Sequence, residues 1–352
     1  MILLGYMNRF ALLLGVGVLT LLGAGCGQSG PVAVDGGVFK TQTLGADWTQ
    51  PSVLNQGKTI GSIANVGTVT TAFDPQDPKI MYVGTTQNGL LMTLDGGESW
   101  QQARGLTSGR VTSIAVHPRN TCVVVAAVAN QLMKTETCGR TWQQAYFDPR
   151  TAQVYSSVVI DPANPQVIYA GNTDGDILRS EDGGSAWRVI HRAESPISAL
   201  TIDPRNTATL YAATAGSGLL KTIDRGTTWA PITLAADQFE GARRPLFAAV
   251  DETVANGVFH ISRNGILRSD DGGGSWRQLA LPTPPAQTNI RAFVQHPRIA
   301  GVLVYATDTS VVFTQDGGVT WTPRKLPSTR SASFLAFDKE STPALYLGTV
   351  PR

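Results

Sequence analysis

The chain has 352 residues, 42% hydrophobic, 7% aromatic and 15% charged, with 37 Gly, 20 Pro, 3 Cys and a formal net charge of +2. Its apolar content excludes wholesale disorder, and Gly and Pro without a period of three exclude collagen. A charge this close to neutral gives no reason to expect nucleic acid as a partner.

Residues 1–26 read as an export signal. Arg9 precedes an uncharged run from Phe10 to Gly25 that ends in small residues before Cys26, and the run is shorter than the ~20 apolar residues of a comfortable membrane span. Its Gly-Ala-Gly-Cys ending resembles a bacterial lipoprotein signal, although Leu22 lies one position further from the cysteine than that signal prefers. The resemblance implies a lipid on Cys26; an ordinary signal peptide cut nearby is the alternative. Residues 27–36 read as a flexible tether. The protein is expected to be exported and lipid-anchored to a bacterial membrane, facing the periplasm or the cell exterior.

From residue 37 onward one string recurs. Thr93-Leu-Asp95-Gly-Gly97-Glu-Ser99-Trp100 returns from 180 to Trp187, from 222 to Trp229, from 269 to Trp276 and from 314 to Trp321. These copies keep Asp182, Asp224, Asp271 and Asp316, and Ala186 replaces the hydroxyl in the first of them. Two degenerate copies end at Trp48 and Trp142 and carry Thr43 and Thr137 where the aspartate belongs. Together they use all 7 Trp of the chain, spaced by 52, 42, 45, 42, 47 and 45 residues.

The string Ser/Thr-x-Asp-x-Gly-x-Ser/Thr-Trp is similar to the Asp-box, or bacterial-neuraminidase repeat. Its physics is local: glycine supplies a positive φ, the carboxylate accepts N–H groups across the turn, and the Trp buries its ring against a neighbouring sheet. A turn must recur once per repeat and a catalytic group need not, so Asp95, Asp182, Asp224, Asp271 and Asp316 read as turn staples. No metal or other cofactor is expected.

Before each box stand two β-rich runs joined by a turn, as in Ser198 to Ile202, Asp203-Pro-Arg-Asn206, then Thr209 to Ala213. A third strand enters the box and a fourth leaves it, which makes a propeller blade. After Trp321 the chain supplies two strands and no box, while the N-terminus supplies a strand and a box. The expected fold is therefore all-β, a seven-bladed propeller over 37–352, a monomeric ring closed by pairing its N- and C-terminal strands. Tyr82, Tyr169, Tyr211, Tyr305 and Tyr346 read as staves at one second-strand position. His117 and His296 read as substitutes for the turn aspartate, and Asn172 to Asp176 as a polar turn lacking the acidic set of a calcium loop. If Cys26 carries lipid, Cys122 and Cys138 are left on one rim of one blade, as a disulfide or as two buried thiols.

Function is expected on the loops opposite the boxes, between the fourth strand of one blade and the first of the next. These carry Arg104, Arg110, Arg150, Arg192, Arg243, Arg244, Arg324, Lys325 and Arg330, with Tyr146, Phe147 and Phe239 as contact surface. Two readings stay open, a docking face for an acidic protein or peptide and a solvated loop surface. Asp-boxes also occur in sialidases, but the Arg-Ile-Pro ahead of the first box is missing here, and xyloglucanase-type hydrolases use two rings in tandem. The closer resemblance is to exported single-ring proteins such as the photosystem II stability/assembly factors, and more loosely to the sortilin propeller. It implies a non-catalytic scaffold that binds a protein or peptide; a carbohydrate-active enzyme or glycan-binding lectin is the alternative.

Overall fold

The strand–turn–strand pattern of each repeat closes into an antiparallel sheet whose strands follow one another outward. In the third, Tyr155–Ile160 is innermost, followed by Ile168–Asn172, Asp176–Ser180 and Arg188–Arg192. The computed structural model describes residues 35–56, 59–232, 237–284, 287–340 and 343–352; the export signal and Cys26 lie outside them. Among the described residues there are seven such sheets, with innermost strands Thr68–Phe73, Val111–Val116, Tyr155–Ile160, Ile197–Ile202, Pro245–Val250, Ala292–Gln295 and Ser331–Phe337.

Second strands such as Met81–Thr85, Val124–Val128 and Leu210–Thr214 are buried along their whole length. Their near-continuous apolar sequence follows from burial on both faces. The hydrophobic cores accordingly lie between blades, and each takes in one box tryptophan. Trp100 packs where blade 7 meets blade 1, and Trp187 where blade 2 meets blade 3.

The ring closes through its ends. Val38–Thr41 pairs antiparallel with Leu345–Val350, which pairs in turn with Ser331–Phe337, so blade 7 is built from both termini of a seven-bladed propeller. Its fourth strand is reduced to a bridge between Lys40 and Thr49. The interblade connection that follows Trp48 contains two strands, Val53–Gln56 and Thr59–Ser62, the first running parallel to Ser99–Gln102. Blade 1 thereby becomes six-stranded. Strands of four residues carry too little alternation to be read from sequence, and the open outer edge of the blade decides their pairing.

Six innermost strands share a β-bulge near their first residue, at Val69, Thr112, Ser156, Ser198, Leu246 and Ser333. A bulge re-aims its side chain, and here the hydroxyls clasp the next blade. Thr112 donates to the Tyr155 carbonyl, Ser156 to that of Ile197, and Ser198 to that of Pro245 at 3.1 Å. Ser333 meets Thr68 Oγ1 at 2.8 Å across the closure.

A second repeated device pairs the second and third strands directly. Tyr169 lies opposite Arg179, Tyr211 opposite Lys221, Phe259 opposite Arg268 and Tyr346 opposite Lys40, each cation over its ring at 5.1 to 5.9 Å. Tyr82 lies opposite Met92, and Val304 opposite Phe313, over which Arg324 stacks at 4.8 Å. Tyr305, expected to share this position, is one residue out of phase. It lies opposite Phe293, packs with the core between blades 5 and 6, and sets its ring edge-on to Trp321 at 5.2 Å.

Candidate functional site: the two rims of the ring

With strands running alternately up and down, the first-to-second turns and the boxes share one rim. The second-to-third turns and the interblade loops share the other. The box rim is saturated with internal bonds. In box 1, Thr93 Oγ1 donates to Asp95 Oδ1 (2.7 Å), and Gly97 N donates back to the threonine hydroxyl (2.9 Å). Ser99 gives both its N–H and its hydroxyl to the carboxylate (2.9 and 2.6 Å). The same pattern holds at Asp224, Asp271 and Asp316; Asp182 lacks the second hydroxyl donor, because residue 186 is Ala, and takes the N–H groups of Ser185 and Ala186 with the Ser180 hydroxyl. These donors hold the carboxyls low, Asp224 down to about 2 through the Thr228 N–H and the Thr222 and Thr228 hydroxyls. Each aspartate is a turn staple whose acceptor sites are already used.

Box 2 lacks that carboxylate. Thr137 takes the Thr141 N–H at 2.9 Å, and the next residue, Cys138, is bonded to Cys122, 16 positions away. The backbone bond from Cys138 N to Cys122 O (3.1 Å) has counterparts in blades that have no cysteine, such as Gly96 N to Lys79 O (2.8 Å). The disulfide thus lies where the fold already brings two chains together, and it points to an oxidising, extracytoplasmic compartment. On the same rim His117 and His296 accept two backbone N–H groups through Nδ1, as Asp74 does through Oδ1. They serve as turn acceptors, with burial holding both below the usual imidazole value.

The loop rim is where the nine candidate cations were placed, and it is less basic than those loops alone suggest. The second-to-third turns open on the same side and bring Asp174, Asp176 and Asp308 with them. Arg150 donates to Asp148 (2.9 and 2.7 Å), Asp174 (2.9 Å) and Asp176 (2.9 Å), and Arg192 lies 3.2 Å from Asp176. The Arg150 guanidinium holds the Asp148 carboxyl below the ordinary range against its burial, so Asp148 is unsuited to donate a proton. Arg243 is bidentate to Asp237 (3.2 and 2.7 Å). Arg330 reaches the Asn65 carbonyl (3.2 Å), and Arg324 reaches sideways to that of Thr43 in the box of blade 7 (3.1 Å).

Arg104, Arg110, Arg244 and Lys325 are exposed and make no ion pair among the described residues. Arg110 and Arg244 precede the innermost strands of blades 2 and 5 at the same register. Of the aromatics, Phe147 is exposed, Phe239 packs on the core between blades 4 and 5, and Tyr146 is wedged between Tyr155 and Trp187. A recess of about 360 Å³ opens between Thr288, Tyr305 and Asp308. Asp308 is a hub that takes bonds from Arg291 (2.8 Å) and Ser331 (2.8 Å).

Sequence reasoning missed two sets of residues. The cation just before the box hydroxyl (Lys40, Lys134, Arg179, Lys221, Arg268) was legible as a periodic position. The carboxylates of the second-to-third turns were not, because only the strand directions place them on the loop rim.

No family model matches the chain, and no curated protein matches it. Solved structures do resemble it in fold. A xyloglucanase of family GH74 from Xanthomonas campestris is 19% identical with a TM-score of 0.66, the match covering 81% of this chain and 51% of that one. The chain thus spans about half the length of that enzyme. YCF48 bound to D1 peptide is 16% identical with a TM-score of 0.61, covering 81% of this chain and 93% of that one. YCF48 from Cyanidioschyzon merolae is 16% identical with a TM-score of 0.60, covering 81% and 95%. At these identities the likeness shows a seven-bladed propeller resembling both YCF48 and the GH74 rings.

Proposed function

We propose that this chain is an exported, non-catalytic propeller that holds a protein or peptide segment on its loop rim, tethered to a membrane through lipid on Cys26. The observation that carries the reading is the uncommitted positive charge there. Arg110 and Arg244 stand exposed at the axis end of blades 2 and 5, with the exposed Lys325 at the end of the fourth strand of blade 6, while Arg104 lies beside Cys138 and Arg140 of the blade 2 box. The charge fits an acidic segment, for which rim cations set encounter rate and orientation. The match to nearly the whole of a single-ring protein bound to a peptide supports this reading, as does the disulfide for export. The GH74 match spans one ring of a longer enzyme, and the buried carboxylates of the loop rim are neutralised by Arg150.

The test is affinity capture from native membranes with wild type, Arg110→Glu/Arg244→Glu, and Lys79→Glu/Arg140→Glu on the box rim. The loop-rim variant should lose specifically captured proteins that the box-rim variant keeps. Identical recovery with all three refutes the loop rim as the docking face.

A further inference from the structure

In six of the seven blades this cross-strand pair contains an aromatic ring. Blade 2 alone has none, because Val125 stands opposite Lys134. In blades 3, 4 and 7 the ring reaches the neighbouring box. Tyr346 gives its hydroxyl to the Gly96 carbonyl at 2.9 Å and Tyr169 to that of Arg225 at 3.1 Å, while Lys40 donates to the same Gly96 carbonyl at 3.0 Å and Lys221 of blade 4 to the Gly272 carbonyl in the box of blade 5 at 2.7 Å. Between blades 2 and 3 neither bond is made. Lys134 turns instead to Glu136 in its own box, and the Gly183 carbonyl, equivalent to that of Gly96, receives no donor among the described residues. The aromatic volume of this interface sits nearer the loop rim instead, as Tyr155 and Tyr146.

The missing ring leaves a cleft of about 410 Å³, lined by Lys134, Gly183, Asp182, Gln166, Ile160 and Ile168. It shares Lys134, Glu136 and Ser185 with a second groove of about 400 Å³, which climbs past Thr137, Thr141, Gln143 and Gln144. That groove runs beside the unpaired outer edge of strand Gln143–Phe147.

We infer that this cleft is a binding site for the aromatic side chain, tyrosine above all, of an extended peptide. The other blades show how such a ring is held. It lies on the apolar floor of Ile160 and Ile168, with the Lys134 ammonium over its face as Lys221 lies over Tyr211, and with its hydroxyl toward the Gly183 carbonyl. A cation over a ring and a hydroxyl on a carbonyl favour tyrosine over an aliphatic side chain of equal bulk. The open strand edge and the side-chain amides of Gln143 and Gln144 suit the backbone of the same peptide. The site lies on the box rim and does not depend on the docking face proposed above.

The probe is a blocked glycyl-tyrosyl-glycine tripeptide, followed by saturation-transfer NMR, with the leucine analogue as control. The wild type should bind the tyrosine peptide, and at least tenfold more tightly than the leucine peptide. Val125→Tyr places in blade 2 the residue that blades 1, 3, 4 and 7 already carry, and should abolish binding while keeping or raising the melting temperature. Lys134→Ala removes only the cation and should weaken binding several-fold, so it carries the test even where Val125→Tyr perturbs folding. No binding to wild type, equal binding of the leucine peptide, or unchanged affinity in either folded variant overturns the inference.

Discussion

The second box offers a direct test of what holds a turn of this kind together. It lacks a carboxylate, keeps Cys138 at φ 54° where intact boxes place Gly96 or Gly183 at about the same angle, and carries a disulfide instead. Closing a loop of 16 residues is worth about 3 kcal/mol in the chain-entropy account. Replacing Cys122 and Cys138 by Ser should therefore lower the melting temperature by about 4–5 °C for a ring of this size. Adding Thr137→Asp and Cys138→Gly to Cys122→Ser rebuilds the ordinary box. The carboxylate takes over the Thr141 N–H and hydroxyl from the Thr137 hydroxyl, a charged acceptor in place of a neutral one being worth about 1 kcal/mol, and glycine relieves about 1 kcal/mol of left-handed strain. Thermal and urea unfolding with and without reductant measure all three proteins. Wild type should fall to the serine variant's midpoint on reduction, and the rebuilt box should recover most of the difference whatever the reductant. A wild type indifferent to reductant, or a rebuilt box no better than the serine variant, would refute the idea that the disulfide substitutes for the carboxylate.

Acid unfolding should be steep between pH 4 and 2. Asp224 falls to about 2, and Asp271 and Asp316 are also held low, so the stability they confer is full above the unfolded value near 3.9 and is lost as pH falls through the folded values. Asp224→Asn should flatten that limb in circular-dichroism titrations. Arg150→Ala should cost about 2–3 kcal/mol, since it leaves the buried Asp148 and Asp176 with less compensation, and adding Asp148→Asn should restore part of it; equal losses in the single and double variants would count against the network. Tyr346→Phe should cost only about 0.5–1 kcal/mol, because Lys40 still donates to the Gly96 carbonyl at 3.0 Å. Tyr346→Ala should cost several times more and loosen the closure, seen as faster hydrogen exchange in Val38–Thr41.

The repeat made the ring legible before any coordinates. The tryptophan spacing counts the blades, and the leftover half-repeats at 38–41 and 331–350 have only each other to pair with, because an open array would leave two bare edges. Boxes and first turns were equally readable, since their bonds join residues two to four apart and their residue types carry the geometry. Position across the ring was not readable. That Arg150 serves Asp174 and Asp176, that Arg324 on the fourth strand of blade 6 covers Phe313 where the third strand has no cation, and that Tyr305 slips one residue out of phase all join residues that only strand pairing brings together. A one-residue shift changes the face of a strand while hardly changing its composition. Local sequence thus determined the turns, the blade count and the closure, and packing between blades alone decided which charges remain free and where a ring is missing.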